Sequence, residues 1–162
     1  MNTDKVLRKE LIALLKGGNA HMGFDSAVAG FPMKQINTRV PNGSYTVWHL
    51  LEHMRIAQWD ILEFVRNPDH VSPDFPDGYW PDAEAMASPE LWNRTIKAIK
   101  ADLRGVQEIV RNPHTDFFNP IPHAKAHTVF REILLVADHN AFHVSEMVAL
   151  RRVLNLKPVR EY

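Results

Sequence analysis

Apolar residues recur at three- and four-residue steps along four long stretches of the chain, and nowhere at two-residue steps over a useful length. Such spacing marks helices with one buried face. The first stretch covers residues 4–16, with Val6, Leu7, Leu11, Leu14 and Leu15 apolar, and Gly17-Gly18 stops it. A short helical piece is expected over residues 25–31. The second long stretch covers residues 45–66, behind Ser44 as N-cap, and carries Val47, Leu50, Leu51, Met54, Ala57, Ile61, Leu62 and Val65. Asn67-Pro68 ends it. The third opens on Ser88-Pro89, an N-cap followed by proline at the first helical position, and ends at Asn112-Pro113. The fourth covers residues 128–155. Between the second and third lies a connection over residues 67–88, rich in proline, aspartate and aromatics. Connections of that length are often functional.

The pattern predicts an all-α domain over residues 1–162, most simply a four-helix bundle, and 162 residues suffice for one real core. Lys plus Arg equals Asp plus Glu at 19 each, which argues against a nucleic-acid partner. The absence of cysteine removes disulfides, thiolate nucleophiles and Cys-based zinc sites, so a transition-metal site would use nitrogen and oxygen ligands. Charges run through the apolar pattern of the N-terminal stretch, so neither a signal peptide nor a membrane span or membrane partner is expected, and the cytoplasm is the default location.

Candidate chemistry enters with the nine histidines. On a helical wheel at about 100° per residue, the fourth stretch has one narrow polar strip, Arg131, Asp138, Ser145 and Arg152, so burial on most other sides is expected. His139 and His143 lie off that strip, on a face with Leu135, Val136, Met147 and Leu150 that also carries Glu132 and Glu146. Ionisable groups on an apolar face are costly unless paired or metal-bound. Core histidines bonded to Glu132 and Glu146 would answer the pattern, and so would two ligands four residues apart gripping one ion. Position 140 is Asn, so the Glu that a zincin helix uses as base is missing. A third ligand is needed. His53 borders the apolar stripe of the second stretch and is the better inward-facing candidate; His49 and Glu52 point further toward solvent. Trp48 and Trp59 are assigned to core packing, while Tyr79 and Trp80 suit either packing or a site mouth. His21 and His49 stay open as additions to the site.

The run Trp48-His49-Leu50-Leu51-Glu52-His53-Met54, followed late in the chain by Asp138-His139-Asn140-Ala141-Phe142-His143, resembles the DinB-like (YfiT-type) superfamily. The resemblance implies a four-helix bundle with a divalent metal, zinc or nickel, held by His53, His139 and His143. It also implies a homodimer, and it places thiol S-transferases and related metal-dependent enzymes among the relatives. One departure stands out. Where family members commonly have Gly-Gln after the last ligand, this chain has His143-Val144-Ser145-Glu146. Three neutral imidazoles leave a coordination position free for water or a thiol substrate, with Glu146 or Glu132 as candidate bases. The expectation is a metal-dependent hydrolase or thiol transferase acting on a small molecule; the alternatives are a non-catalytic metal-binding stress protein and a metal-free interaction bundle.

Overall fold

Four of the helix starts sit where a short polar side chain can accept from an otherwise unpaired backbone amide. In the computed structural model, which describes residues 2–40 and 43–156, the helices are α1 (Thr3–Lys16), α2 (Phe24–Val28), α3 (Val47–Arg66), α4 (Pro89–Arg111) and α5 (Val129–Val153). Asn2, Thr46, Ser88 and Thr128 cap α1, α3, α4 and α5. The fold is an all-α bundle of four long helices, as the hydrophobic period predicts. α3 packs on α4 and α5, and α1 packs on the same two helices. The core has two parts. One gathers Trp48, Leu50, Leu51, Met54, Trp92, Ile99 and Met147; the other gathers Leu11, Leu15, Leu62, Val106, Val110 and Val136. Among the described residues, no helix is long and apolar enough to cross a membrane.

Three local features differ from the sequence expectation. The N-cap of α3 is Thr46, not Ser44: the Thr46 hydroxyl accepts from His49 N–H, and His49 Nδ1 accepts from Thr46 N–H, both at 3.2 Å. This is a capping box with histidine in the place usually held by Glu or Gln. It also buries His49, 3% exposed, where the wheel pointed it toward solvent. A small antiparallel hairpin, β1 (Pro120–Ile121) with β2 (Ala124–Thr128), leads into α5. Its strands are too short, and its register too irregular, to show as alternation. Finally, α5 exposes more apolar surface than its wheel implies. Leu134, Leu135, Phe142 and Val153 all face outward, flanking the exposed polar strip of Arg131, Asp138, Ser145 and Arg152.

One buried amide ties the three central helices together. Gln58 of α3, 1% exposed, donates through Nε2 to the Ile99 carbonyl of α4 at 2.7 Å. Its Oε1 accepts from Asn140 Nδ2 of α5 at 2.8 Å. A carbonyl only accepts, so both amide orientations follow from the Ile99 bond. The tie lies five residues after His53 and one residue after His139, so it fixes how the histidine-bearing turns of α3 and α5 meet.

Candidate metal centre

His139 and His143 project from one face of α5 because residues four apart lie one above the other on a helix. His53 projects from the face of α3 that packs on α5. The three side chains converge, with their nearest ring nitrogens all within 4.8 Å of one another. His53 Nε2 lies 3.1 Å from His143 Nε2 and 3.1 Å from His139 Nε2. His53 and His143 are buried and His139 is half-buried.

The outer nitrogens of two rings decide what the inner ones carry. His53 Nδ1 is 2.8 Å from the Tyr79 carbonyl, which can only accept, so Nδ1 holds the hydrogen and Nε2 of the neutral ring is a bare lone pair. His143 Nδ1 donates to Glu146 Oε2 at 2.6 Å, so in the neutral ring its Nε2 is likewise a lone pair. The other oxygen of Glu146 accepts from Tyr45 OH at 2.8 Å. Burial, the bond to Glu146 and its charge push the Tyr45 phenol up to about 12, so it stays a donor. With both rings neutral, two lone pairs face each other at 3.1 Å, a repulsive contact that a cation bound between them relieves. Protonation of His53 or His139 is a poor remedy. Burial lowers the His139 pKa to about 3, helped by His143 and His53, and burial is also the main cause that lowers His53.

A metal ion fits the same arrangement well. Two nitrogens at the usual zinc distance, about 2.0–2.1 Å, in tetrahedral directions lie about 3.3 Å apart, close to the 3.1 Å that His53 Nε2 keeps from each of the other two rings. The Nδ1–H bonds to a carbonyl and to a carboxylate are the outer partners that orient metal-binding imidazoles and raise their donor strength. The Trp80 ring stacks on His53 at 4.0 Å between centroids and 4° between planes. Tyr45 packs on Trp80 at 5.2 Å, and Phe142 meets the His143 ring edge-on at 5.0 Å.

Of the other residues weighed from the sequence, Glu146 is at the cluster, but with both oxygens engaged. Glu132 is not brought to it. Glu132 shares the wheel face of His139 but lies two turns earlier on α5, roughly 10 Å along the axis. There its Oε1 accepts from Arg131 at 2.6 Å and from His127 Nδ1 at 2.8 Å. A wheel projects away the axial distance, which is how the two carboxylates came to look equivalent. His49 has both ring nitrogens occupied, Nδ1 in the capping box and Nε2 donating to the Ala85 carbonyl at 2.9 Å. His21 donates to the Met22 carbonyl at 2.8 Å and borders a separate cavity of about 140 Å³, between the α1–α2 loop, α4 and α5. None of the three clustered histidines lines that cavity. Tyr45, Asp60 and the Tyr79 carbonyl were missed from the sequence. Only Asp60 left a signal there, as an acid on the buried side of α3.

A helical bundle carrying inward-facing histidines from two helices, two of them with their outer nitrogens hydrogen-bonded, fits a metal-binding protein, and the donor set suits a divalent ion. The chain belongs to the DinB superfamily, whose family profile it matches over residues 19–147. That span includes all three histidines and Glu146. Neither the curated proteins nor the solved structures contain a match.

Proposed function

We propose that this protein is a metal-dependent enzyme that holds one divalent ion, zinc or nickel, on His53, His139 and His143 and acts on a small molecule, a thiol by preference. The convergence of ring nitrogens from His53, His139 and His143, with the Nδ1 atoms of His53 and His143 turned outward onto a carbonyl and a carboxylate, carries the proposal. Bound there, a divalent ion supplies Lewis-acid activation of a water or thiol at a free coordination position. Glu146 orients His143 and strengthens it as a donor, and Tyr45 holds Glu146 in place. With both of its oxygens committed, Glu146 is a positioning group in this reading rather than a base, and Glu132 takes no part. A thiol, with an ordinary pKa of about 8.5, needs less help from a base than water does, which favours S-transfer over hydrolysis.

The committed state of Glu146 also favours a second reading, a bundle that binds its ion without turnover. Elemental analysis of protein purified without a histidine tag separates these readings. One ion per chain is expected, and stripping and reloading it should abolish and restore turnover of thiol or ester substrates. Stoichiometric ion without turnover on any such substrate favours the second reading. No stoichiometric ion overturns both.

We also infer a homodimer through the outer face of α5, where Leu134, Leu135, Phe142 and Val153 are exposed. Exposed apolar patches on one helix face commonly mark protein contacts. Because Phe142 packs on His143, a second copy there would lie beside the histidine cluster. Light scattering should report a dimer for the wild type and a monomer for Phe142→Glu; a monomeric wild type at all concentrations removes the inference.

A further inference from the structure

Asp60 is a carboxylate on the buried side of α3, 6% exposed, two helical turns beyond His53 and on the same side of the helix. Nothing in the packing of α3 on its neighbours calls for an acid there. Its two oxygens reach instead to the connection between α3 and α4. Oδ1 accepts from His70 Nε2 at 2.7 Å, and Oδ2 accepts from Tyr79 OH at 2.7 Å. The Trp59 ring meets His70 edge-on at 5.1 Å and holds it over the carboxylate.

Tyr79 therefore touches α3 at two levels. Its phenol is fixed at Asp60, and its backbone carbonyl accepts from His53 Nδ1–H at 2.8 Å. The residue lies along the helix like a strut, spanning the interval between positions 53 and 60. The next residue, Trp80, lays its ring flat against His53. The Nδ1 partner of His53 and the ring stacked on its face thus come from two consecutive residues; Asp60 anchors the phenol of the first, which also bonds Ser72, and Tyr45 packs on the second.

We propose that Asp60 is a positioning residue for His53, acting through Tyr79, an inference that rests on the metal reading above. Anchoring the phenol holds the Tyr79 carbonyl over Nδ1, which keeps the hydrogen there and leaves Nε2 as the lone pair aimed at the cluster. It also holds Trp80 in the plane that stops the imidazole from turning about its χ2 bond. A purely structural staple would stabilise the connection without changing what the cluster binds, or how.

The test uses the metal-stripped full-length protein titrated with Co²⁺, read by its visible d–d absorption, and with Zn²⁺ in competition with a chelating dye. Wild type is compared with Tyr79→Phe, Asp60→Asn and Arg8→Met, the last a destabilised reference remote from the cluster. Tyr79→Phe should bind both ions about tenfold more weakly or worse, with a changed d–d spectrum, and Asp60→Asn should move the same way. Arg8→Met should melt lower with affinity and spectrum unchanged. A Tyr79→Phe protein matching wild type in affinity and spectrum overturns the proposal and leaves the metal reading standing. So does a loss of affinity that Arg8→Met shares in proportion to its lowered melting temperature. A wild type that takes up no Co²⁺ overturns the metal reading, and this proposal with it. Should Asp60→Asn fail to fold, Tyr79→Phe decides the question alone.

Discussion

We expect the His53→Ala protein, stripped and reloaded beside the wild type, to retain no stoichiometric ion. Two imidazoles from one helix are left, fewer than the three protein ligands of an open zinc site. In the stripped state the substitution costs the Trp80 stacking and the bond to Tyr79, and it relieves the crowding of the His53 Nε2 against the His143 and His139 Nε2 atoms at 3.1 Å. These effects oppose one another, so the melting temperature of stripped protein is a poor readout. The difference between loaded and stripped protein is a good one. A ligand at a thousand times its dissociation constant stabilises the folded state by about 4 kcal/mol. For a chain of this size that is roughly 10 °C in Tm. Wild type should show such a rise on loading, and His53→Ala should show none. His139→Ala and His143→Ala should behave alike, because any one deletion leaves an incomplete set. A His53→Ala protein that keeps one ion per chain, with an undiminished rise, would show that α3 supplies no ligand.

Much of this site was legible because it rests on periodic structure. His139 and His143 are four residues apart on a helix, and His53 borders an apolar stripe, so a wheel alone brings the three to the interior. The helix ends that follow common side-chain chemistry were legible too: Ser88-Pro89 and Asn112 bound α4 as expected. What escaped notice lies where periodicity ends. The α3 cap uses a histidine in place of Glu or Gln, so Thr46-x-x-His49 did not announce itself. The strut from Asp60 to His53 passes through Tyr79, in a connection whose path no local pattern encodes. Glu132 and Glu146 share a wheel face, and only the axial coordinate separates an ion pair near the start of α5 from a partner of His143. Local sequence reported the angle about the helix axis for the three clustered histidines, though not for His49 or Leu135, and long-range polar contacts hardly at all.

Arg8 is a residue outside the cluster whose loss should cost heavily, and the same limits kept it out of view. On α1 it reads as an ordinary surface charge paired with Asp4 one turn earlier, and that pair is present at 2.9 Å. Its guanidinium also crosses to the C-terminal end of α4, where the last carbonyls of a helix lack intrahelical partners. One nitrogen donates to the Val110 carbonyl at 2.8 Å and to the Asn112 carbonyl at 2.7 Å; another reaches Thr115 O at 3.3 Å. The group lies over the Phe117 ring at 4.5 Å from its centroid. Positive charge is also favoured at that end of a helix by the peptide dipoles. A methionine keeps much of the stem's packing and removes every one of these donors. Val110 is fully buried, so its carbonyl gains little from water in exchange. Hydrogen bonds to charged groups contribute about 1.5–3 kcal/mol each and are far from additive within one cluster, so Arg8→Met should lose about 3 kcal/mol overall. Urea unfolding of the metal-stripped protein should show this as a lower midpoint at unchanged slope. Arg8→Lys should recover only part of the loss, because an ammonium cannot spread its donors across several carbonyls as the planar guanidinium does. A midpoint for Arg8→Met within error of wild type would mean that water replaces the guanidinium at the end of α4, and that the α1–α4 contact is held by Leu11, Leu15 and their apolar neighbours alone.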